Sequence, residues 1–298
     1  MIMLTFLMCS SFFHYNHHIR GHIHFFSNLY LQYIECQKHY SKLSNALFHL
    51  PERVHTKQTL TLKNIQLKEL TYTYPDKKFG IQLMNPLDFK PGQIILLAGD
   101  SGHGKSTFTD VICGVIPQSE YNHVVYLDTE RATNAFDQLL SARIYVEQFE
   151  NIHWKSSVYE IVTAQVSTTN ISISIERMVW QALKLACCED FLTLYPHDHE
   201  SNLKWIHIPN INPSGGQKGR IAIARSIYHV IKKQPKILVL DEIDKQIQAK
   251  QAVKIMMKIF DLCQQNHILC LVIAHSTEVQ NLNYDQTISF NHGQISLV

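Results

Sequence analysis

The chain has 298 residues, 45% hydrophobic and 17% charged, with a net charge of +2 at pH 7. That is enough apolar material for one large domain or two small ones, which excludes a disordered chain, and too little charge to indicate a nucleic-acid partner. Gly and Pro are scarce, which excludes collagen-like and linker-dominated sequence, and no uncharged apolar stretch reaches the ~18 residues of a membrane span.

Residues 1–60 carry eight of the 18 His and no Asp. The run Met1 to Phe13 is apolar like a signal-peptide core. It lacks a basic leader and a small-residue cleavage site, so a truncated membrane helix is at least as good a reading. Leu29, Ile34, Tyr40, Leu43, Leu47 and Leu50 recur at helical spacing and predict an amphipathic helix that ends at Pro51. His14, His18 and His22 share one face of any helix there. They read as composition bias rather than a zinc site, because no Cys or carboxylate completes a four-ligand set. The seven cysteines are odd in number and form no CxxC pair, which points to buried thiols in a reducing compartment.

From Leu60 onward, strands alternate with helices. A strand is predicted from Ile65 to Tyr74. Gly92–Ala98 is a short continuous apolar run, as in a strand buried on both faces, and a helix follows it to about Val115. Two more such strands are predicted at Lys236–Leu240 and Ile268–Ala274, with helices at about 175–188, 216–231 and 249–265. This alternation implies an α/β fold with a mostly parallel sheet and crossover helices.

The chemistry sits at the strand ends. Gly99-Asp100-Ser101-Gly102-His103-Gly104-Lys105-Ser106-Thr107 satisfies G-x-x-x-x-G-K-[ST] between a predicted strand and a predicted helix, the context of a P-loop. Its glycines let the backbone close around phosphates. Lys105 would reach the β- and γ-phosphates, and Ser106 would hold Mg²⁺. Asp241 ends the second buried strand and is assigned to Mg²⁺, while Glu242 is placed to polarise the attacking water.

With these motifs, Ser214-Gly215-Gly216-Gln217 and the helix behind it make the sequence resemble the nucleotide-binding domain of the ATP-binding cassette (ABC) family over residues 62–298. The resemblance implies a P-loop NTPase core, an N-terminal antiparallel β part and an inserted helical subdomain at about 150–215. It divides the chain into a His-rich segment, 1–60, which could be the remnant of a membrane-domain helix and linker, and an ATP-binding domain, 61–298. It further implies that Tyr74 stacks on adenine, that Gln148 contacts Mg²⁺ and water, and that His275 contacts the γ-phosphate. The Ser214 loop of one cassette would close over ATP held by the other. The implied partners are a second cassette, as homo- or heterodimer, and an exporter-like membrane-spanning domain, at the cytoplasmic face of a membrane.

Three features depart from the family pattern. Pro213 stands where leucine is usual, Gln248 replaces an aspartate in the loop after Glu242, and Pro196–Asn212 lacks the acidic-glycine motif of exporters. The reading is an ATPase that powers transport. The alternatives are a hydrolysis-deficient ATP-binding module and a soluble, non-transport ABC protein.

Overall fold

The computed structural model describes residues 64–74, 79–113, 115–116, 121–127, 130–131, 143–146, 152, 154, 156–165, 172–192, 212–245 and 247–298. All of them belong to the second of two units in the chain, Gln58–Val298. The histidine cluster, the amphipathic helix expected at 25–50 and Gln148 lie outside the described residues.

The strands are β1 (Ile65–Thr73), β2 (Gly80–Leu83), β3 (Leu87–Phe89), β4 (Ile94–Ala98), β5 (Tyr121–Leu127), β6 (Glu130–Arg131), β7 (Arg143–Val146), β8 (Ile237–Asp241), β9 (Leu269–Ile273), β10 (Gln286–Asn291) and β11 (Gln294–Leu297). The helices are α1 (Lys105–Ile112), α2 (Val158–Thr163), α3 (Ile173–Leu185), α4 (Glu189–Leu192), α5 (Gly215–Lys233), α6 (Ala249–Gln265) and α7 (Thr277–Gln280). They build one sheet of order β6-β5-β1-β2-β11-β10-β4-β9-β8-β7, with β3 paired to β1. Strands β10, β4, β9, β8 and β7 run parallel to their neighbours in that order. The wing formed by β1, β2, β3, β5 and β6 is antiparallel.

The central strands are apolar without interruption because both of their faces are buried. On β8, Ile237 and Val239 enter one core, while Leu238 and Leu240 enter the other. β9 alternates in the same way, with Leu269, Leu271 and Ile273 against Cys270 and Val272. One core takes Phe108, Val111 and Ile112 of α1 together with Leu67, Leu70 and Ile81 of the antiparallel wing. The other takes Ile221, Ala224, Ile227 and Tyr228 of α5 and Ile255, Met256 and Ile259 of α6. Each Val, Leu, Ile, Phe or Met side chain among them contributes ~1.5–3 kcal/mol when fully buried. The effect is to fix α1 on one side of the sheet and α5 and α6 on the other.

Helices α2, α3 and α4 form a satellite on the second core. Ser157 and Glu160 close a reciprocal capping box at the start of α2. Arg220 of α5 is buried and donates through Nη1 to the Cys187 carbonyl (2.6 Å) and to both oxygens of Asp190 (2.9 Å each). Its guanidinium also lies 4.9 Å from the Phe191 ring centroid. Arg220 thus ties α5 to the α3–α4 connection.

The five described cysteines, Cys113, Cys187, Cys188, Cys263 and Cys270, are buried free thiols, as their apolar neighbours lead one to expect. Burial pushes the Cys113 thiol up to about 11, so it stays protonated at neutral pH. No helix among the described residues is long and apolar enough to cross a membrane.

Replacing Arg220 by Ala strips the buried Cys187 carbonyl of its donor. A loss of ~1–3 kcal/mol is expected, read as a lower urea midpoint at unchanged slope. An unchanged midpoint would show that the bond does not hold the two parts together.

Candidate functional site

Strand β4 ends in a turn that only glycine can make. Gly99, Gly102 and Gly104 have φ of +145°, +81° and +108°. A Cβ on Gly99 would run into the Phe290 carbonyl of the neighbouring β10, and one on Gly104 would come within 2.7 Å of Ile81 Cγ2. Nothing lies within 4 Å of the corresponding point at Gly102, where the loop is open. The turn is pinned by His103 N–H to the Asp100 carbonyl (3.3 Å) and by Gly293 N–H to the His103 carbonyl (3.1 Å). The His103 ring lies 4.4 Å from that of His292, centroid to centroid.

Gly104 is the N-cap of α1 and offers no side-chain cap. The first-turn N–H groups of Lys105, Ser106 and Thr107 therefore have no intrahelical partners, and their partial positive charge favours an anion. Lys105 Nζ folds back over the loop and donates to the carbonyls of Gly99 (2.6 Å) and Asp100 (2.8 Å). Asp100, Ser101, Gly102 and Ser106 are exposed at the same mouth. Thr107 is buried, and its hydroxyl is 3.2 Å from the Tyr74 hydroxyl. Tyr74 sits just past β1, edge-on to Tyr72 at 5.0 Å. An aromatic side chain thus lies beside the first turn of α1.

Asp241 ends β8, which is separated from β4 by β9 alone. Burial raises its pKa. The hydrogen bond from Tyr145 opposes that rise, Glu242 adds to it, and the charge of Lys105 pulls it down. Because β4, β9 and β8 run parallel, Asp241 and the glycine turn leave the sheet at the same edge. Tyr145 of β7 donates to Asp241 Oδ2 at 2.6 Å. Burial, first, and this carboxylate hold the phenol well above its ordinary pKa, so it remains a donor.

The next residue, Glu242, has φ of +48°, unusual for a side-chain-bearing residue. Its N–H donates to the Ile273 carbonyl (2.9 Å), and its Oε2 is 3.3 Å from Lys245 Nζ. His275 follows β9. Its backbone N–H donates to both oxygens of Asp244 (3.1 Å each), and Oδ2 also accepts from the Ser276 N–H and hydroxyl (2.7 Å each). Asp244 is 4% exposed. Four donor contacts satisfy its charge in the absence of a cation. Asp244 is not among the residues the sequence motifs single out; its acidity two positions beyond Glu242 is the only signal it carries. Tyr145 was also missed, although it lies within the stretch that leads to Gln148.

Ser214 caps α5. Its Oγ accepts from Gln217 N–H (3.3 Å), and Gln217 Oε1 accepts from Ser214 N–H (2.8 Å), a capping box. Gly215 has open space where a Cβ would stand. Pro213 is buried just ahead of the cap, while Ser214 remains exposed. Gln248 is the N-cap of α6 and makes no side-chain capping bond, so the substitution leaves that helix capped by backbone alone.

The chemistry of the donor set suits Mg²⁺. Ser106 and Asp241 offer hard oxygens, and Asp241 Oδ1 carries no hydrogen bond among the described residues. No group of three or more His, Cys, Asp or Glu among the described residues could hold a metal unaided.

Residues 85–245 match the family model described as ABC transporter. An uncharacterized ABC transporter ATP-binding protein/permease of Acanthamoeba polyphaga mimivirus is 35% identical over 277 residues, covering 93% of this chain and 49% of its own length. The leptomycin B resistance protein of Schizosaccharomyces pombe is 31% identical (78% and 16% covered), and the alpha-hemolysin translocation ATP-binding protein HlyB of Escherichia coli is 28% identical (86% and 34%). The fold is shared with a bacterial Atm1-family ABC exporter with ATP bound (TM-score 0.58, 18% identity, 80% of this chain and 39% of that one). It is shared equally with a dimeric bacterial ABC transporter cassette (0.55, 24%, 78% and 96%).

The chain belongs to the ABC transporter family, and its fold is that of the P-loop NTPase cassette. It spans about half the length, or less, of these curated relatives.

Asp244→Asn puts an amide donor against the two N–H groups that the carboxylate now holds. Hydrogen exchange at the His275 and Ser276 amides is expected to speed up roughly ten- to hundredfold, while β8 stays protected. Unchanged exchange would mean that Asp244 does not secure the loop.

Proposed function

We propose that this cassette binds MgATP, pairs with a second cassette, identical or different, and hydrolyses the nucleotide to drive export through a membrane-spanning domain. Its place would be the cytoplasmic face of a membrane. The observation that carries this reading is the start of α1, without a side-chain cap, behind a glycine turn, with Lys105 across its mouth and Asp241 at the same edge of the sheet.

In this reading the residues Gly99 to Thr107 wrap the phosphates. Lys105 exchanges its loop carbonyls for β- and γ-phosphate oxygens, and the α1 amides supply fixed positive potential. Tyr74 covers the base. Ser106, Asp241 and Gln148 supply oxygens for Mg²⁺, which when bound neutralises phosphate charge. Glu242 takes a proton from water and His275 faces the γ-phosphate. The exposed start of α5, Ser214-Gly215-Gly216-Gln217, presents a second set of amides to a triphosphate held by the partner cassette. The relatives, an ATP-binding protein/permease, a leptomycin B resistance protein and an alpha-hemolysin translocation ATP-binding protein, support the transport part.

Lys105→Ala should weaken ATP binding by roughly a hundredfold, measured by calorimetry. Unchanged affinity would contradict the phosphate role. Glu242→Gln should leave binding intact, slow hydrolysis by about 10²–10³ and accumulate an ATP-bound dimer on size exclusion with light scattering. A variant that hydrolyses at the native rate would remove Glu242 from the mechanism.

A further inference from the structure

The hydrogen bond between Tyr145 and Asp241 joins an edge strand to the carboxylate assigned to Mg²⁺. β7 pairs in parallel with β8, Tyr145 opposite Val239 and Val146 opposite Leu240. The Tyr145 ring packs against the core that holds α1. Its hydroxyl reaches Asp241 Oδ2 at 2.6 Å and stands 3.5 Å from Thr109 Oγ1. Thr109 spends its own proton on the Ser106 carbonyl at 2.9 Å. The phenol has one proton, and the shorter contact shows where it goes: to the carboxylate, which cannot donate. From Asp241 the chain of contacts runs through Tyr145 and Thr109 to Ser106, the other residue assigned to the metal. The backbone after Tyr145 leads in three residues to Gln148.

We infer that Tyr145 is a positioning residue for the metal: by occupying Oδ2 it sets the orientation of the Asp241 carboxylate and leaves Oδ1 as the oxygen offered to Mg²⁺. This rests on MgATP being the ligand. Two physical consequences follow. A carboxylate held by a charge-assisted hydrogen bond loses the side-chain freedom that metal binding would otherwise have to remove, so the ion binds at a lower concentration. In addition, one oxygen is engaged by a donor that cannot be displaced without exposing a half-buried phenol, which disfavours capture of the ion by both oxygens. The contribution is to the metal and not to the nucleotide, because among the described residues the Tyr145 hydroxyl is hydrogen-bonded only to Asp241 and Thr109, and Thr109 alone carries it on to the Gly99–Ser106 loop.

The test uses the full chain and a fluorescent ATP analogue, with Mg²⁺ titrated from an EDTA baseline. For Tyr145→Phe, the Mg²⁺ concentration that half-maximally enhances binding should rise roughly three- to tenfold, while affinity in EDTA stays within twofold of the native protein. Thr109→Val keeps the phenol–carboxylate bond and should leave the Mg²⁺ midpoint where it is. Incorporating 3-fluorotyrosine at position 145, which keeps the donor, should restore the native midpoint. If Tyr145→Phe does not fold by circular dichroism, Tyr145→Met makes the same deletion with a more adaptable side chain and the same expectation. A folded variant with the native Mg²⁺ midpoint overturns the inference. Native protein that binds no ATP analogue, or binds it without regard to Mg²⁺, overturns the functional reading on which the inference stands.

Discussion

The structure depends on a turn in which the backbone itself is the reactive surface. For Gly99 to carry the chain from β4 into α1, its α-carbon must lie against the Phe290 carbonyl at a φ that side-chain-bearing residues avoid. A side chain there would force the loop away from β10 and move the start of α1. Because that start is uncapped, displacing it would misplace the amides and Lys105 together. The apolar packing of Phe108, Val111 and Ile112 between the parallel strands and the antiparallel wing keeps α1 aimed. The core therefore matters to function chiefly because it orients one helix end.

Around this turn, polar side chains fix loops that apolar packing cannot. Asp244 buries a negative charge and satisfies it with the N–H groups of the His275 loop, so the segment after β8 and the segment after β9 move as one. Arg220 does the same for α5 and the helices before it. A buried ion left with one partner fewer costs ~1–3 kcal/mol, a sizeable share of a domain's ~5–15 kcal/mol of net stability. Such groups serve to hold one geometry more than to add stability. The two helix starts differ in a way that fits their proposed roles. α5 is closed by its own Ser214–Gln217 box but bare above Gly215, whereas α1, with Gly104 as N-cap, has no side-chain capping bond.

Much of this was legible in the sequence because the central strands are continuous apolar runs bounded by motifs. The strands at Gly92–Ala98, Lys236–Leu240 and Ile268–Ala274 were placed to within two residues of β4, β8 and β9. The predicted helix at 249–265 coincides with α6, and the one at 216–231 falls within α5. α3 begins two residues before its expected start and ends three residues before its expected end, at the αL residue Cys187 and its neighbours. The wing strands were harder to read individually. β2 and β3 have four and three residues, too few for a period-2 pattern to stand out. The β10–β11 hairpin has a signal in the sequence, Asn291-His292-Gly293 between the alternating apolar residues Ile288, Phe290, Ile295 and Leu297, and the structure gives His292 and Gly293 the positive φ such a turn needs. In the candidate site, the glycine turn with Lys105 stands out in the sequence as one contiguous motif, and Asp241 as the acidic end of an apolar run. Tyr145 and Asp244 were not, because they act through partners that are distant in the chain.

The most direct test of two amide-bearing turns enclosing one triphosphate is hydrogen exchange on the hydrolysis-blocked chain, with and without MgATP, at protein concentrations that span dimer formation. The account predicts that Ser101–Ser106 is protected by nucleotide at every concentration. The amides of Gly215–Gln217 should gain protection only where the ATP-bound dimer is populated. Protection of the first segment alone, in a fully dimeric ATP-bound sample, would contradict the account.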